Sequence, residues 1–394
     1  MNTQTLQKWN KVRLDEIADF QYGYTASSKE DDTGTKLLRI TDIVPDLIDW
    51  ETVPFCDIDE KDAKQYGIKK GDILIARTGA TAGYAKFIRR QPEKSVFASY
   101  LIRLTMKKAD ASSEYVGRII ESDTFKQFVA SHASGSAQPH ANAPILKDFE
   151  FLLPDLKTQV SVANILSVYD DLIENNALRI QILEQIAQAT YTEWFVNLHF
   201  PDHEKVKMTD SGTDFGKIPQ GWTVKKLGEK IDISRGRNIT KKTVEEGNIP
   251  VVAGGLEPAY YHSTANTEAP VVTVSASGAN AGFVNLYMEN VWASDCSYID
   301  KGVTPFVLYY FLLLKSRQIE VTGLQRGSAQ PHVYPKDLSD LLVVDVPDHL
   351  LENFEDIVGT IFSFVGNLKK QNKALRDSRN LLLPKLVTGE IIVK

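Results

Sequence analysis

One six-residue phrase is spoken twice in this chain, and any fold proposed for it has to hold two copies. Gly135-Ser136-Ala137-Gln138-Pro139-His140 returns as Gly327-Ser328-Ala329-Gln330-Pro331-His332 about 190 residues later. A phrase of such mixed chemistry does not recur through composition alone, so the chain reads as two copies of one design. Each copy is followed by Lys-Asp (Lys147-Asp148, Lys336-Asp337) and by an apolar run ending at Pro154 or Pro347. A long amphipathic helix comes next in both halves. The repeat also reaches back to the start of each half, where Trp9, Leu14, Glu16, Asp19 and Gly23 share a register with Trp222, Leu227, Glu229, Asp232 and Gly236.

Between these landmarks the pattern is β-rich. Strands are expected over Lys36–Ile43, Gly71–Arg77, Ile249–Val252 and Val271–Ser275, with matched short strands at Val96–Ser99 and Val291–Ser294. The loops Thr78–Gly83 and Ser277–Gly282 are rich in small residues. Neither carries the Lys-Ser or Lys-Thr that a phosphate-binding loop requires, so each is expected to be a tight hairpin turn or else a loop whose backbone comes close to DNA. Tyr115–Val129 and Phe306–Ile319 read as helices leading into the repeated phrase.

From Leu156 to about Phe195 the apolar period becomes helical. Leu166, Tyr169, Ile173, Asn176, Ile180, Leu183, Ala187 and Thr190 alternate three and four apart, as in a coiled-coil seam. The counterpart Ile361, Val365, Leu368, Asn372, Leu375, Arg379, Leu382 is expected to stop at Pro384. Asn176 and Asn372 occupy equivalent places, where an asparagine either fixes register or faces water. The polar stretch His199–Gln220, with Pro201, Gly212, Gly216 and Pro219, reads as the linker between the halves.

The 394 residues, 43% apolar and 24% charged, suit an ordinary globular protein of two or three domains. The longest apolar run, Phe306–Leu314, is too short to span a bilayer, so no membrane partner and a cytoplasmic location are expected. Cys56 and Cys296 fall at non-equivalent positions and read as free thiols. A net charge of −6 argues against a simple nucleic-acid coat protein, yet it leaves room for a local basic surface. No dinucleotide fingerprint, zinc-protease motif, nucleophile elbow or metal cluster is present, so neither catalysis nor a cofactor is expected.

A duplicated unit on helical spacers suits duplex DNA, whose major groove faces the same side once per turn of about 34 Å. At this point a family resemblance can be stated. The Gly-Ser-Ala-Gln-Pro loop before a strand ending in proline, the long helix carrying Gln159, and the connector Phe215-Gly216-Lys217-Ile218-Pro219-Gln220-Gly221-Trp222 follow one another in order. In this the chain resembles the specificity subunits of type I restriction-modification systems.

The resemblance implies an α+β chain of two pseudo-repeated target recognition domains, each followed by a long helix, with the two helices packed as an antiparallel coiled coil. The expected boundaries are 1–154 for the first recognition domain and 155–198 for the first spacer helix. Residues 199–347 would hold the linker and second recognition domain, and 348–394 the second spacer. The implied function is non-catalytic reading of an asymmetric bipartite site. The implied partners are double-stranded DNA, methyltransferase subunits, two in number, and restriction subunits. The second helix departs from the first by offering Glu352-Asn353-Phe354 near the place of Gln159. A competing reading of the residues is a coiled-coil adaptor that assembles proteins without reading DNA.

Side-chain chemistry nominates DNA-binding residues, since Gln and Asn pair with adenine, Arg with guanine, and Ser and Thr with phosphate. In the first half these are Gln21, Tyr22, Tyr24, Arg39, Arg77, Thr78, Gln138 and His140. In the second they are Arg235, Arg237, Asn238, Ser277, Asn280, Gln330 and His332. Because the repeated phrase is identical in halves expected to read different bases, a supporting or phosphate-holding role is expected for it.

Overall fold

The computed structural model describes residues 9–45, 47–79, 81–132, 141–327 and 331–393. The chain forms two compact units, Met1–Leu178 with Lys369–Lys394, and Arg179–Leu368. Each unit therefore owns part of both long helices, which run Leu156–Tyr191 and Asp348–Val387.

The first unit is built on an antiparallel sheet in the order Ala18–Tyr22, Leu101–Met106, Ile73–Ala76, Ala85–Phe87. Ile73–Ala76 lies inside the sheet, and all four of its residues are buried, as expected of an unbroken apolar strand covered on both faces. A parallel pair, Lys36–Leu38 with Ser95–Phe97, stands beside it, and Asn10–Arg13 pairs with Glu150–Leu153. Helices Ser113–Ile120 and Asp123–His132 follow the sheet. Ser112 caps the first of them by accepting from the Tyr115 N–H at 3.4 Å.

The second unit repeats this plan. Its sheet runs Ser234–Arg235, Cys296–Asp300, Val271–Ser275, Val284–Tyr287. Its companion strands are Tyr260–His262, Ile249–Val252 and Trp292–Ala293, and Thr223–Lys226 pairs with Leu342–Asp345. The linker adds a small hairpin, Met208–Asp210 with Lys217–Pro219, and anchors Phe200 against Trp222 with rings 5.1 Å apart.

Several local expectations are corrected. Lys36–Ile43 is a strand only to Leu38, after which Ile40–Ile43 turns as a helix capped by Arg39 and Asp42. The opening of the first half is a strand, one helical turn (Leu14–Ile17) and a second strand, the two strands pairing with Glu150–Leu153 and Leu101–Met106. Tyr115–Val129 and Phe306–Ile319 each divide into two helices. Pro384 does not end the second long helix but lies within its last turns. The carbonyl that loses its N–H partner belongs to exposed Asn380, while the Thr388 N–H closes onto the Pro384 carbonyl at 3.1 Å.

Within each unit the two long helices pack side by side. In the first, Leu166 and Val162 share a core with Leu383 and Leu386. Asn176 donates to the Asn372 side chain at 2.9 Å, and Asn372 donates to the Ile173 carbonyl at 3.2 Å, both asparagines being buried. The two equivalent seam residues are therefore each other's partners. In the second unit Leu183, Ala187 and Tyr191 pack with Phe354, Val358, Phe362 and Val365.

The asparagine pair sets a common register in which Glu355, not Glu352–Phe354, stands where the first helix has Gln159. Gln159 accepts from the Ser112 N–H at 2.8 Å and donates to the Asp110 and Pro154 carbonyls. Glu355 accepts from the Tyr309 N–H at 2.7 Å, at the start of the corresponding helix Val307–Ser316. Burial pushes the Glu355 carboxyl up to about 7, although the Tyr309 and Leu308 N–H groups pull the other way.

That raised value has a sign. Between the ordinary carboxylate range and about pH 7 the folded chain holds a proton that the unfolded chain releases, so stability falls as pH rises through this window. Glu355→Gln removes the titration. We expect the variant's second unit to melt about 2–4 °C above wild type at pH 8 and to lose that advantage at pH 5. Differential scanning calorimetry at the two pH values checks this, and an equal shift at both would contradict it.

Candidate nucleic-acid interface

In the first unit the outgoing ends of strands Ala18–Tyr22 and Ile73–Ala76 and the incoming end of Leu101–Met106 meet at one edge of the sheet. Antiparallel pairing dictates this, because Tyr22 and Ile75 both face Ile102 in register. The loops leaving this edge carry Tyr22, Arg77, Ser99 and Tyr100. Arg77 lies over the Tyr22 ring, 5.0 Å from its centroid, and its guanidinium donates to the Ser99 carbonyl at 3.3 Å. The Tyr22 hydroxyl accepts from the Ala143 N–H at 3.2 Å. Tyr22 is 42% exposed and Tyr100 is 62% exposed, so an arginine and two aromatic rings are presented together.

The second unit builds the same edge from different residues. Arg235 occupies the place of Tyr22 and lies over the Tyr334 ring at 5.8 Å, with Asp295 at 3.7 Å. Ser277 donates to the Asp295 carboxylate and forms a β-bridge with His332. The His332 ring stacks on Tyr334 at 5.9 Å and 18°. A cation over an aromatic ring is thus made in both units, with Arg235 supplying the cation at the position where the first unit has the Tyr22 ring.

In the second unit Pro331 and His332, the described end of the phrase, sit behind this edge. Pro331 accepts from the Gly278 N–H at 3.1 Å, the Val333 N–H donates to the Ala276 carbonyl at 3.0 Å, and His332 exchanges backbone bonds of 2.9 Å with Arg326. Pro331 and Val333 thereby clamp the small-residue hairpin turn, where Gly278 has φ +80. In the first unit the corresponding bond runs from the Ala141 N–H to the Arg77 carbonyl at 2.7 Å. Gln138, His140 and Gln330 lie outside the described residues.

Of the other nominated residues, several are engaged internally. Gln21 accepts from the Arg103 guanidinium, which also reaches the Gly67 and Gln65 carbonyls and Asp72. Tyr24 packs on Tyr66, 5.4 Å between rings. Arg39 is held by Asp42 at 2.9 Å as part of a helix cap. Asn280 donates to the Gly254 carbonyl at 3.3 Å, and Thr78 is half-buried. Arg237 and Asn238 are exposed, next to Arg235. The nominations omitted Tyr100, Tyr334 and Asp295. Tyr334 follows the repeated phrase by two residues, and Tyr100 and Asp295 each follow the matched Ala-Ser pair, so the repeat itself marked these positions.

The exposed faces of the long helices carry apolar side chains as well. In the first unit these include Val168, Leu172 and Leu381, and in the second Ile182, Ile186 and Phe364. Among the described residues no group of His, Cys, Asp and Glu could hold a metal ion, and no helix is long and apolar enough to cross a membrane. Cys56 and Cys296 are both free and buried.

Comparison with known proteins places these observations. The profile of the type I restriction modification DNA specificity domain matches twice, over residues 7–185 and 219–374. The specificity subunit of the type I restriction enzyme MjaIX from Methanocaldococcus jannaschii is 26% identical, covering 98% of this chain and 94% of that protein. The specificity subunit of HindI from Haemophilus influenzae is 22% identical over 82% of this chain and 87% of its own. Among solved structures, the S subunit of a type I restriction-modification system from M. genitalium superposes with a TM-score of 0.53 at 16% identity, over 98% of each chain. That likeness extends the agreement to the fold.

Proposed function

Because the chain belongs to the family of type I restriction-modification DNA specificity subunits, the non-catalytic recognition components of those systems, we propose that each of its units reads one half of an asymmetric, bipartite duplex site. Residues 1–154 and 199–347 are the recognition domains, and 155–198 and 348–394 are spacer helices forming an antiparallel coiled coil. The paired asparagines support that last assignment. The observation that carries the reading is the exposed strand-end edge built twice, with Tyr22, Arg77 and Tyr100 in one unit and Arg235, Arg237, Asn238 and Tyr334 in the other. One scaffold bearing two different sets of readers yields two different half-sites. Ser277, His332 and the residues around the phrase hold the edge and reach phosphate, while the arginines reach base edges.

The exposed apolar residues of the helices dock methyltransferase subunits, two per chain, and restriction subunits join that complex in the cytoplasm. A contiguous apolar face on an otherwise polar helix is what a partner helix would cover.

The test is co-expression of this chain with its methyltransferase subunit, followed by mapping of adenine methylation across a genome. A split asymmetric motif that depends on this chain is expected. Arg77→Ala should weaken one half of that motif about tenfold or more, and Arg235→Ala the other. Methylation that persists unchanged when the chain is deleted would favour the adaptor reading instead.

A further inference from the structure

Asp170, on the first long helix, is only 5% exposed, yet three guanidinium groups converge on its carboxylate. Arg89 arrives from the turn after strand Ala85–Phe87, with 2.5 Å between charged atoms. Arg118, 3% exposed, arrives from helix Ser113–Ile120, and Arg379 comes from the second long helix at 2.5 Å. Glu114 and Glu121 lie 3.3 and 3.6 Å from Arg118, Asp171 lies 3.5 Å from Arg89, and Glu174 lies 3.4 Å from neighbouring Arg90. Four separate elements of the first unit thus meet at one side chain.

The second unit makes three of these positions with uncharged residues. In the register of the asparagine pair, Gly366 stands for Asp170 and Leu183 for Arg379. The matching hairpin turns at Gly83 and Gly282 place Met288 where the first unit has Arg89. Met288 approaches Gly366 closely, its Cβ 3.6 Å from where a side chain would begin, and both Met288 and Leu183 pack on the second unit's core.

These junctions differ in kind. Apolar contact is non-directional and tolerates sliding. A buried carboxylate shared by three guanidiniums holds only in a narrow geometry, and removing it takes away the one group common to all three cations. We propose that Asp170 is a positioning residue for sequence readout, fixing the sheet of the first unit on the two long helices in the one orientation that presents Tyr22, Arg77 and Tyr100 to their half-site. The second unit holds its sheet by apolar packing and is independent of this hub. The inference rests on the assignment of the two units as recognition domains.

The experiment uses the full methyltransferase complex carrying Asp170→Asn or Arg379→Leu, the latter importing the second unit's residue while leaving Asp170 two guanidinium partners. Methylated motifs are mapped beside wild type. Discrimination should fall about tenfold in the half-site that exchange of residues 1–154 switches, with the other half intact, and Arg379→Leu should show the same polarity more weakly. If Asp170→Asn does not yield folded complex, Arg379→Leu decides. Loss of total methylation with both halves of the motif unchanged, or equal relaxation of both halves, would overturn the proposal and leave Asp170 a stability residue. A wild-type complex with no split motif is a different result, since it removes the recognition reading and this inference with it.

Discussion

Exchanging residues 1–154 for the corresponding segment of another family member switches one half of the methylated sequence completely and leaves the other half unaltered. The segment contains the whole first sheet, its parallel companion strands and the Tyr22–Arg77 edge. It excludes everything that forms the second edge, so the second half-site keeps its readers. The graft has one structural condition. Asp170 and Arg379 stay behind on the helices, so the incoming segment must supply cations at the positions of Arg89 and Arg118. A graft that lacks them leaves the buried carboxylate with Arg379 alone, at a cost of several kcal/mol. Methylation mapping checks the outcome, and a change in both halves would count against separate recognition domains.

Gly23→Ala should be among the most damaging single-atom additions in the first unit. A Cβ on Gly23 would lie 2.2 Å from the Ala98 carbonyl oxygen and 2.4 Å from that of Phe97, and both obstacles are backbone. The chain comes this close because strand Ala18–Tyr22 crosses there toward Ser95–Phe97, with the Tyr24 N–H donating to the Phe97 carbonyl at 2.8 Å. No rotamer change relieves such contacts, so the strands must separate. We expect a loss of about 3 kcal/mol or more, which lowers the first unit's melting temperature by about 6–12 °C. Gly236→Ala should do the same to the second unit, where the Ser294 carbonyl oxygen lies 2.2 Å from the added carbon. Gly79→Ala is the control. Its φ of +80 imposes strain, but nothing lies within 4 Å of the new atom, so about 1 kcal/mol is expected. Calorimetry that finds Gly23→Ala melting with Gly79→Ala would refute the close-approach argument.

Much of the architecture could be read before any coordinates. The repeated phrase announced two copies, the matched Gly23 and Gly236 carried the repeat back to the start of each half, and the three-and-four spacing announced both long helices. Asn176 and Asn372 could be paired by position alone, although whether they faced each other or water could not. Boundaries were read less well. Pro384 reads as a stop, yet the helix runs through it to Val387, with the freed carbonyl on exposed Asn380. The place of Gln159 was misjudged by up to three residues until the asparagine contact fixed the register on Glu355.

The candidate edge was partly legible. Tyr22, Arg77 and Arg235 were nominated from side-chain chemistry, and the fold presents them. Gln21 and Arg39 were nominated on the same grounds, and the fold gives them internal partners instead. Chemistry alone does not distinguish a guanidinium offered to solvent from one that caps a helix.

What the amino-acid order determined by itself was duplication, because identical phrases must satisfy identical local geometry, and helical period, because side-chain spacing is a local property. What only the tertiary structure decided was which distant groups share a charge or a ring. Arg77 meets Tyr22 across 55 residues, while Arg235 meets Tyr334 across 99. Asp170 gathers arginines from three other elements where its counterpart Gly366 receives a methionine. Such meetings depend on strand order and helix register, and electrostatics acts over ångströms of space, with no regard for distance along the chain.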